Sequence, residues 1–574
     1  MILNAKTVKG RDYYCVITSS RIENKPKEKM LLYLGRLDNL DQQKAKYLLE
    51  RVRELGDPSV TLETQAILIR FGHAFPPTLD SLDLKAVRSY GPELALVRLA
   101  EEIRLVQIID ENSIKGGGPA LGKMTLALAI YANRCPGSLL RFAEWYRRSS
   151  LPIFLDMPPQ VVTYEATLNT LDYLQPERTR IIEAKTYSRV REVFHYQCER
   201  VDIDSTPVEL SGALCRVLAK FGRAKAGGKS KRRQILITFL IDQKAALLGH
   251  EVFPGNRNDA RTLKQVDKRL RECYDNEVAM ASRVVDRGYA SLANVRAMAR
   301  KKEHFVVAAR VGPKGLGLLK AIGVPQRQWL EIDDGMRAAS LVKDKLKWVV
   351  TWNDEVAKRN CDGRIAKIQK AREALEILQK ATKEGRIKSR AERDQKIGAI
   401  LRKYGAKRFL KPSGNRKGFG FTIEETDKVE EKADEDGYQV FVTTELAMAE
   451  KEVVDWYRAR DRIEKAIRTL KHCLGLGPIY VTTKKHVLGN IYLHALAYQL
   501  RAAMKIRLDE KKVEMSPEEA IWELERLQVA ELIVRGNEIE VLRKLTKADG
   551  TVQTLIQAFS LSGEDGFPGL EEGI

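Results

Sequence analysis

Residues 194–206 read FHYQCERVDIDST, a run that ends at Asp204 and has the apolar and β-branched content of a strand. Two further apolar runs follow, QILITFLI (234–241) and ALLGHEVF (246–253), with a short turn between them. Three consecutive strands can pair as antiparallel neighbours. The pattern then changes. DARTLKQVDKRLRECYD (259–275) carries apolar residues at helical spacing, MASRVVD (280–286) is a strand ending in Asp286, SLANVRAMARKK (291–302) is a helix and HFVVAARV (304–311) a strand. Strands separated by helices need crossover connections, which is how parallel pairing arises. This order specifies an α/β core, with its first part at 185–311.

Outward from that core the chain divides by pattern. Residues 1–60 alternate in places (YYCVITSSRI, MLLYLGRL) and then turn helical, which predicts a small β-rich head with one helix. Residues 61–184 begin with a Pro- and Asp-containing linker and continue as apolar helices such as PELALVRLAEEIRLVQIID. The segment 312–436 interrupts the core pattern with a strand signal (LKWVVTW) and a strongly charged helical run. Over 361–418 there are 18 Lys plus Arg against 6 Asp plus Glu. GYQVFVTTE (437–445) returns to strand, and 437–510 closes the core with a charged helix and the apolar helix VLGNIYLHALAYQLRAAM (487–504). Residues 511–574 read as a helical tail.

The 574-residue chain is long enough for several domains, and its formal net charge of +22 points to a polyanionic partner, nucleic acid before membrane. It contains no run of eighteen apolar residues, and MILNAKTVKGRDYY lacks the apolar core of a signal peptide. A cytosolic protein is expected. The seven cysteines form no C-x2-C pair, so neither a disulfide framework nor structural zinc is expected.

Chemistry concentrates in VVDWYRARDRIEKAIRTLKHCLG (453–475). On a continuous α-helix, Tyr457, Arg460, Glu464 and Lys471 fall within about 60° of arc. A carboxylate flanked by cations on one face suits a metal-bound phosphate. The plainer alternative is a solvated helix with an Arg460–Glu464 pair. Asp204 and Asp286 weigh against it, because carboxylates at strand ends can point into the crevice above a sheet. Each could instead serve a turn. Asp202 competes with Asp204, since both share one strand face. Three carboxylates brought together repel unless cations neutralise them. Two Mg²⁺ ions could do so while activating one oxygen and stabilising another in a phosphoryl displacement.

DST at 204–206, DRG at 286–288 and Tyr457-x2-Arg460-x3-Glu464-x6-Lys471 together resemble the insertion-sequence DDE transposases. More closely, they resemble the large bacterial and archaeal group with a Tyr-Arg-Glu-Lys signature. FPGNRNDARTL (253–263), AIRTLKHCLGLGPIYV (466–481), NRCPGSLLRFAEW (133–145) and the opening YYCVITSSRIENK with LLYLGRL fit that likeness, over roughly residues 10–505. His486 and Asn490 stand where the group usually has Arg and His. The resemblance implies an RNase H-like mixed sheet with helices on both faces, interrupted by an insertion. It implies Asp204, Asp286 and Glu464 as catalytic ligands of a pair of Mg²⁺ or Mn²⁺ ions, and Tyr457, Arg460 and Lys471 as phosphate contacts. It also implies hydrolysis at transposon ends, strand transfer into target DNA, and a homodimer on DNA in a prokaryotic nucleoid, with 61–184 binding the ends. The basic stretch GRAKAGGKSKRR (222–233) adds Lys229, Lys231, Arg232 and Arg233 as candidate backbone contacts. A catalytically silent DNA-binding descendant and a metal-dependent nuclease of the same fold are the competing functions.

Overall fold

The computed structural model describes residues 1–22, 25–73, 75, 82–113, 116–211, 215–222, 232–258, 261–286, 292–301, 303–309, 329–387, 389–414, 420–534, 540–563, 566–568 and 570. It divides into two compact units, one of residues 1–170 with 503–574 and the other of residues 171–502. No helix among the described residues is long and apolar enough to cross a membrane.

The first unit begins with an antiparallel meander, β1 (Ile2–Val8), β2 (Arg11–Ile22) and β3 (Lys25–Gly35). Two helices follow rather than the expected one, Gln42–Arg53 and Pro58–Arg70. Asp41 and Asp57 cap them, each accepting backbone N–H bonds from the first turn, and Pro58 sits where a helix tolerates it. Their apolar faces close a core of Val16, Leu34, Leu49, Val52, Val60 and Leu68. The reading of 61–184 as helical and of 511–574 as a helical tail is corrected by a second sheet. β4 (Leu82–Ser89) pairs with β16 (Gln528–Val534), which pairs with β17 (Glu540–Leu545). Neither strand alone carries a strong local signal. Each is stabilised by a partner more than four hundred residues away (Ala530 opposite Val87), and cross-strand packing decides such segments.

The second unit is built on one nine-stranded sheet. β5 (Arg200–Glu209), β6 (Gln234–Asp242) and β7 (Leu247–Pro254) form the expected antiparallel trio. β8 (Ser282–Val285) lies parallel to β5, and β9 (Phe305–Ala309) parallel to β8, each entered through a helix. Every residue of β6 is buried, as a strand covered on both faces requires. The sheet then continues through β15 (Tyr438–Thr443) to β12 (Leu346–Asn353), β11 (Met336–Lys343) and β10 (Leu330–Asp333), all antiparallel. The 312–436 interruption therefore donates three strands to the main sheet instead of standing wholly apart. Its remainder is a small module: the helices Asp354–Lys383 and Arg390–Lys403 and a hairpin, β13 (Leu410–Gly414) with β14 (Phe421–Glu425). It has its own core around Ile368, Leu375, Leu378, Leu401 and Phe421. The described part of the basic run is thus folded, with Arg364 and Arg393 buried in it.

Candidate active site

The parallel register of β5 and β8 pairs Val201 with Arg283, Asp202 with Val284 and Ile203 with Val285. Asp204 on β5 and Asp286, the residue after β8, each follow that last pair. Asp286 follows the end of β8 as expected. Asp204 does not end its strand, which corrects the sequence reading: β5 runs on to Glu209, held by β6 alone. Asp204 instead marks where the parallel pairing stops. With no β8 residue beside it, its side chain is 22% exposed. One of its oxygens, Oδ1, accepts the Ser205 backbone N–H at 2.8 Å. Asp202, its competitor, is fully buried and held by Arg200 at 2.7 Å. Burial pushes the Asp202 pKa up to about 6 against the pull of Arg200.

The signature does not lie on one straight helix. Helix Glu450–Arg458 stops, helix Asp461–Arg468 starts, and Thr469–Cys473 forms a π turn. At the break the chain tightens into i→i+3 bonds, from Arg460 N–H to Tyr457 O (3.1 Å) and from Ile463 N–H to Arg460 O (3.0 Å). Rotation by a fixed 100° per residue therefore fails across Arg460 and again before Lys471. Packing still delivers three of the four residues to the aspartates. The first helix packs on β9, β10, β11 and β15, and the second on β5 and β6. Val453, Val454, Ile463 and Ile467 are their buried anchors.

Arg460 is the centre of the cluster. Its guanidinium lies 2.6 Å from Glu464, 3.7 Å from Asp286 and 3.9 Å from Asp204. Burial alone would lower its pKa; its negative neighbours, Asp286 foremost, hold it above the ordinary value. Tyr457 donates its hydroxyl to Asp286 Oδ1 at 3.2 Å, and its ring packs against Phe441 and beneath the Arg460 guanidinium. Lys471 stands apart from this cluster. Its ammonium donates to the Pro207 carbonyl at 2.7 Å, three residues further along β5 from Asp204.

Of the basic loop, Lys229 and Lys231 lie outside the described residues. Arg232 is exposed and 2.9 Å from Glu209, and Arg233 lies over the Phe221 ring. Sequence reasoning missed Arg200. It is buried and bonds the Trp456 carbonyl at 3.0 Å as well as Asp202, tying β5 to the residue before Tyr457. The only signal for it was a charge at the start of an apolar strand.

Among the described residues no three acidic, His or Cys side chains stand close enough together to enclose an ion as placed. The three carboxylates are spread around the guanidinium instead. Their chemistry nevertheless fits a hard divalent cation. All donors are carboxylate oxygens, and they already converge on one positive charge. Turning Arg460 outward would free the same oxygens for metal and carry its fork toward phosphate.

Among solved structures, the chain is similar to the piggyBac transposase synaptic complex with hairpin DNA, at 10% identity, covering 78% of this chain and 81% of that one, with a TM-score of 0.36. It is also similar to the Mos1 transposase paired-end complex with the left transposon end, at 12% identity, covering 50% and 84%, with a TM-score of 0.13. Neither likeness is close enough to carry weight, and no curated protein matches the sequence. The transposase DDE domain family model matches residues 197–500, which is more than half of the chain and includes Asp204, Asp286 and the whole signature. The chain therefore belongs to the DDE-domain transposases, enzymes that cleave and join DNA.

Proposed function

We propose that this protein is a cut-and-paste transposase of the insertion-sequence group carrying the Tyr-x2-Arg-x3-Glu-x6-Lys signature. Its core β7-β6-β5-β8-β9 is read as RNase H-like, and it acts as a homodimer on terminal inverted repeats in a prokaryotic nucleoid. The observation that carries this reading is the convergence of Asp204, Asp286 and Glu464 on a single guanidinium. DDE transposases work with divalent metal, and here the three carboxylates would hold a pair of Mg²⁺ or Mn²⁺ ions. Bound metal would supply Lewis acidity at the scissile phosphate and lower the pKa of the attacking hydroxyl or water.

The chain's own residues do the rest. Asp204 and Asp286 each follow the last paired rung, Ile203 with Val285, so the pairing of β5 with β8 brings them near each other. Tyr457 orients Asp286 through its hydroxyl. Arg460 and Lys471 supply cations to phosphate oxygens on either side of the cut, with Lys229, Lys231, Arg232 and Arg233 gripping the backbone further away. The same site serves cleavage and joining, because both are in-line displacements at phosphorus.

Excision from a donor plasmid carrying the gene with its native flanking DNA tests the reading. Precise loss of the element and its recovery at new sites are expected. Persistent cleavage without any joined product would favour a nuclease, and binding without cleavage a silent descendant.

A further inference from the structure

A cleft of about 720 Å³ includes Asp286, Tyr457 and Arg460 of the candidate site in its lining. Arg359, Asn360, Gly363 and Lys367 of helix Asp354–Lys383 form one wall of it, and Glu435 and Asp436, paired with Lys432 and Arg364, also line it. Arg359, Gly363 and Lys367 recur every four residues, so they fall within about 80° of arc and span about 12 Å.

Two observations identify what this face is built to meet. First, Arg359 and Lys367 are exposed and have no carboxylate partner among the described residues. The buried Arg364 on the same helix is instead paired with Asp436 at 2.6 Å and holds the wall together. Second, Gly363 sits inside a thirty-residue helix, where Gly costs about 1 kcal/mol relative to Ala. Apart from its own helix backbone, no atom of the described residues lies within 4 Å of the position its Cβ would take. Packing within the chain therefore does not require the glycine. A ligand backbone passing close to the helix would require it. The cleft's volume lies in the range of sites that hold small ligands, about the size of a nucleotide or two.

We propose that this cleft is a track for one unpaired DNA strand, whose backbone crosses the helix at Gly363 and meets Arg359 and Lys367. The proposal rests on the transposase reading for its location beside the cut, and it adds residues outside the signature and outside the basic loop. The strand leaving the scissile phosphate would be held against the insertion module and kept from re-pairing.

The test uses the full chain and two labelled DNAs of equal length, one fully paired and one with an unpaired arm. Gly363→Leu meets open space and improves helix propensity, so its Tm should equal or exceed the wild-type value. Its affinity for the armed DNA should fall about tenfold, with affinity for the paired DNA almost unchanged; Arg359→Glu with Lys367→Glu should do the same. Equal losses on both DNAs, or no loss on the armed DNA, would overturn the track. Metal-dependent cleavage by the wild-type chain is scored separately. If the wild type cuts no DNA but the selective loss is seen, the transposase reading fails and the track stands. If it cuts and Gly363→Leu binds armed DNA normally, the reverse holds.

Discussion

Replacing Arg460 by Ala should separate two roles that the geometry gives one side chain. Its guanidinium faces Glu464, Asp286 and Asp204 at 2.6, 3.7 and 3.9 Å. A divalent cation entering the same oxygens must displace it and then tolerate a positive neighbour. At the two longer distances each charge pair is worth about 1 kcal/mol in a water-like dielectric and about 4 kcal/mol at an effective dielectric of 20. Glu464 is 48% exposed and Asp286 36%, so solvent screening places the real value toward the low end. Losing Arg460 should therefore favour metal binding by about 1–2 kcal/mol, or about 5- to 30-fold. Cleavage should move the opposite way, falling at least a hundredfold (about 2.7 kcal/mol of lost transition-state stabilisation), because the phosphate loses its buried cation. Mn²⁺ titration followed by electron paramagnetic resonance gives the affinity, and a gel assay at saturating metal gives the rate. Weaker Mn²⁺ binding in Arg460→Ala would refute the exchange and make the arginine a support for the carboxylates.

Lys471→Ala should cut cleavage at least tenfold while losing only about 1 kcal/mol of stability with its bond to the Pro207 carbonyl. Lys465→Ala on the preceding helix, an exposed residue paired with Asp461, should alter neither, and equal mild effects would return both to a solvated face. Gly255→Ala should destabilise the chain by about 3 kcal/mol, read by denaturant melting, because the new Cβ would stand 1.9 Å from the Gln234 carbonyl oxygen. A variant as stable as wild type would show that this backbone approach is not rigid. Charge reversal at Arg232 and Arg233 should reduce the salt dependence of duplex affinity by about one unit of slope per lost phosphate contact, and an unchanged slope would remove the pair from the interface.

The site was legible in the sequence wherever local pattern and register coincide. MASRVVD announces both β8 and the acid after it, and the signature spacing picks out Tyr457, Arg460 and Glu464, which the fold brings together beside the two aspartates. Its geometry was less legible. Asp204 looked like a strand end because the apolar run stops there, yet pairing with β6 carries the strand five residues further. The tightening at Arg460 and the π turn at Lys471 depend on how two short helices seat on different strands, which propensity does not report. Arg200 reads as a solvated charge until the fold places it beneath the Trp456 carbonyl. The same holds at larger scale. β5 with β6, β6 with β7 and β8 with β9 follow from adjacency in sequence, whereas β5 with β8, β4 with β16 and β15 with β9 are long-range pairings that no local window contains.

The central claim is that Asp204, Asp286 and Glu464 form one metal-dependent catalytic site. The most direct test is cleavage of transposon-end DNA by purified protein in Mg²⁺, comparing Asp204→Ala, Asp286→Ala, Glu464→Ala and Asp202→Asn at matched DNA occupancy. The account requires the first three to bind DNA and abolish cleavage, and Asp202→Asn, which alters a buried partner of Arg200, to retain it. Loss of cleavage in Asp202→Asn with full activity in Asp204→Ala would place the first ligand one pleat earlier on β5 and contradict the site as drawn.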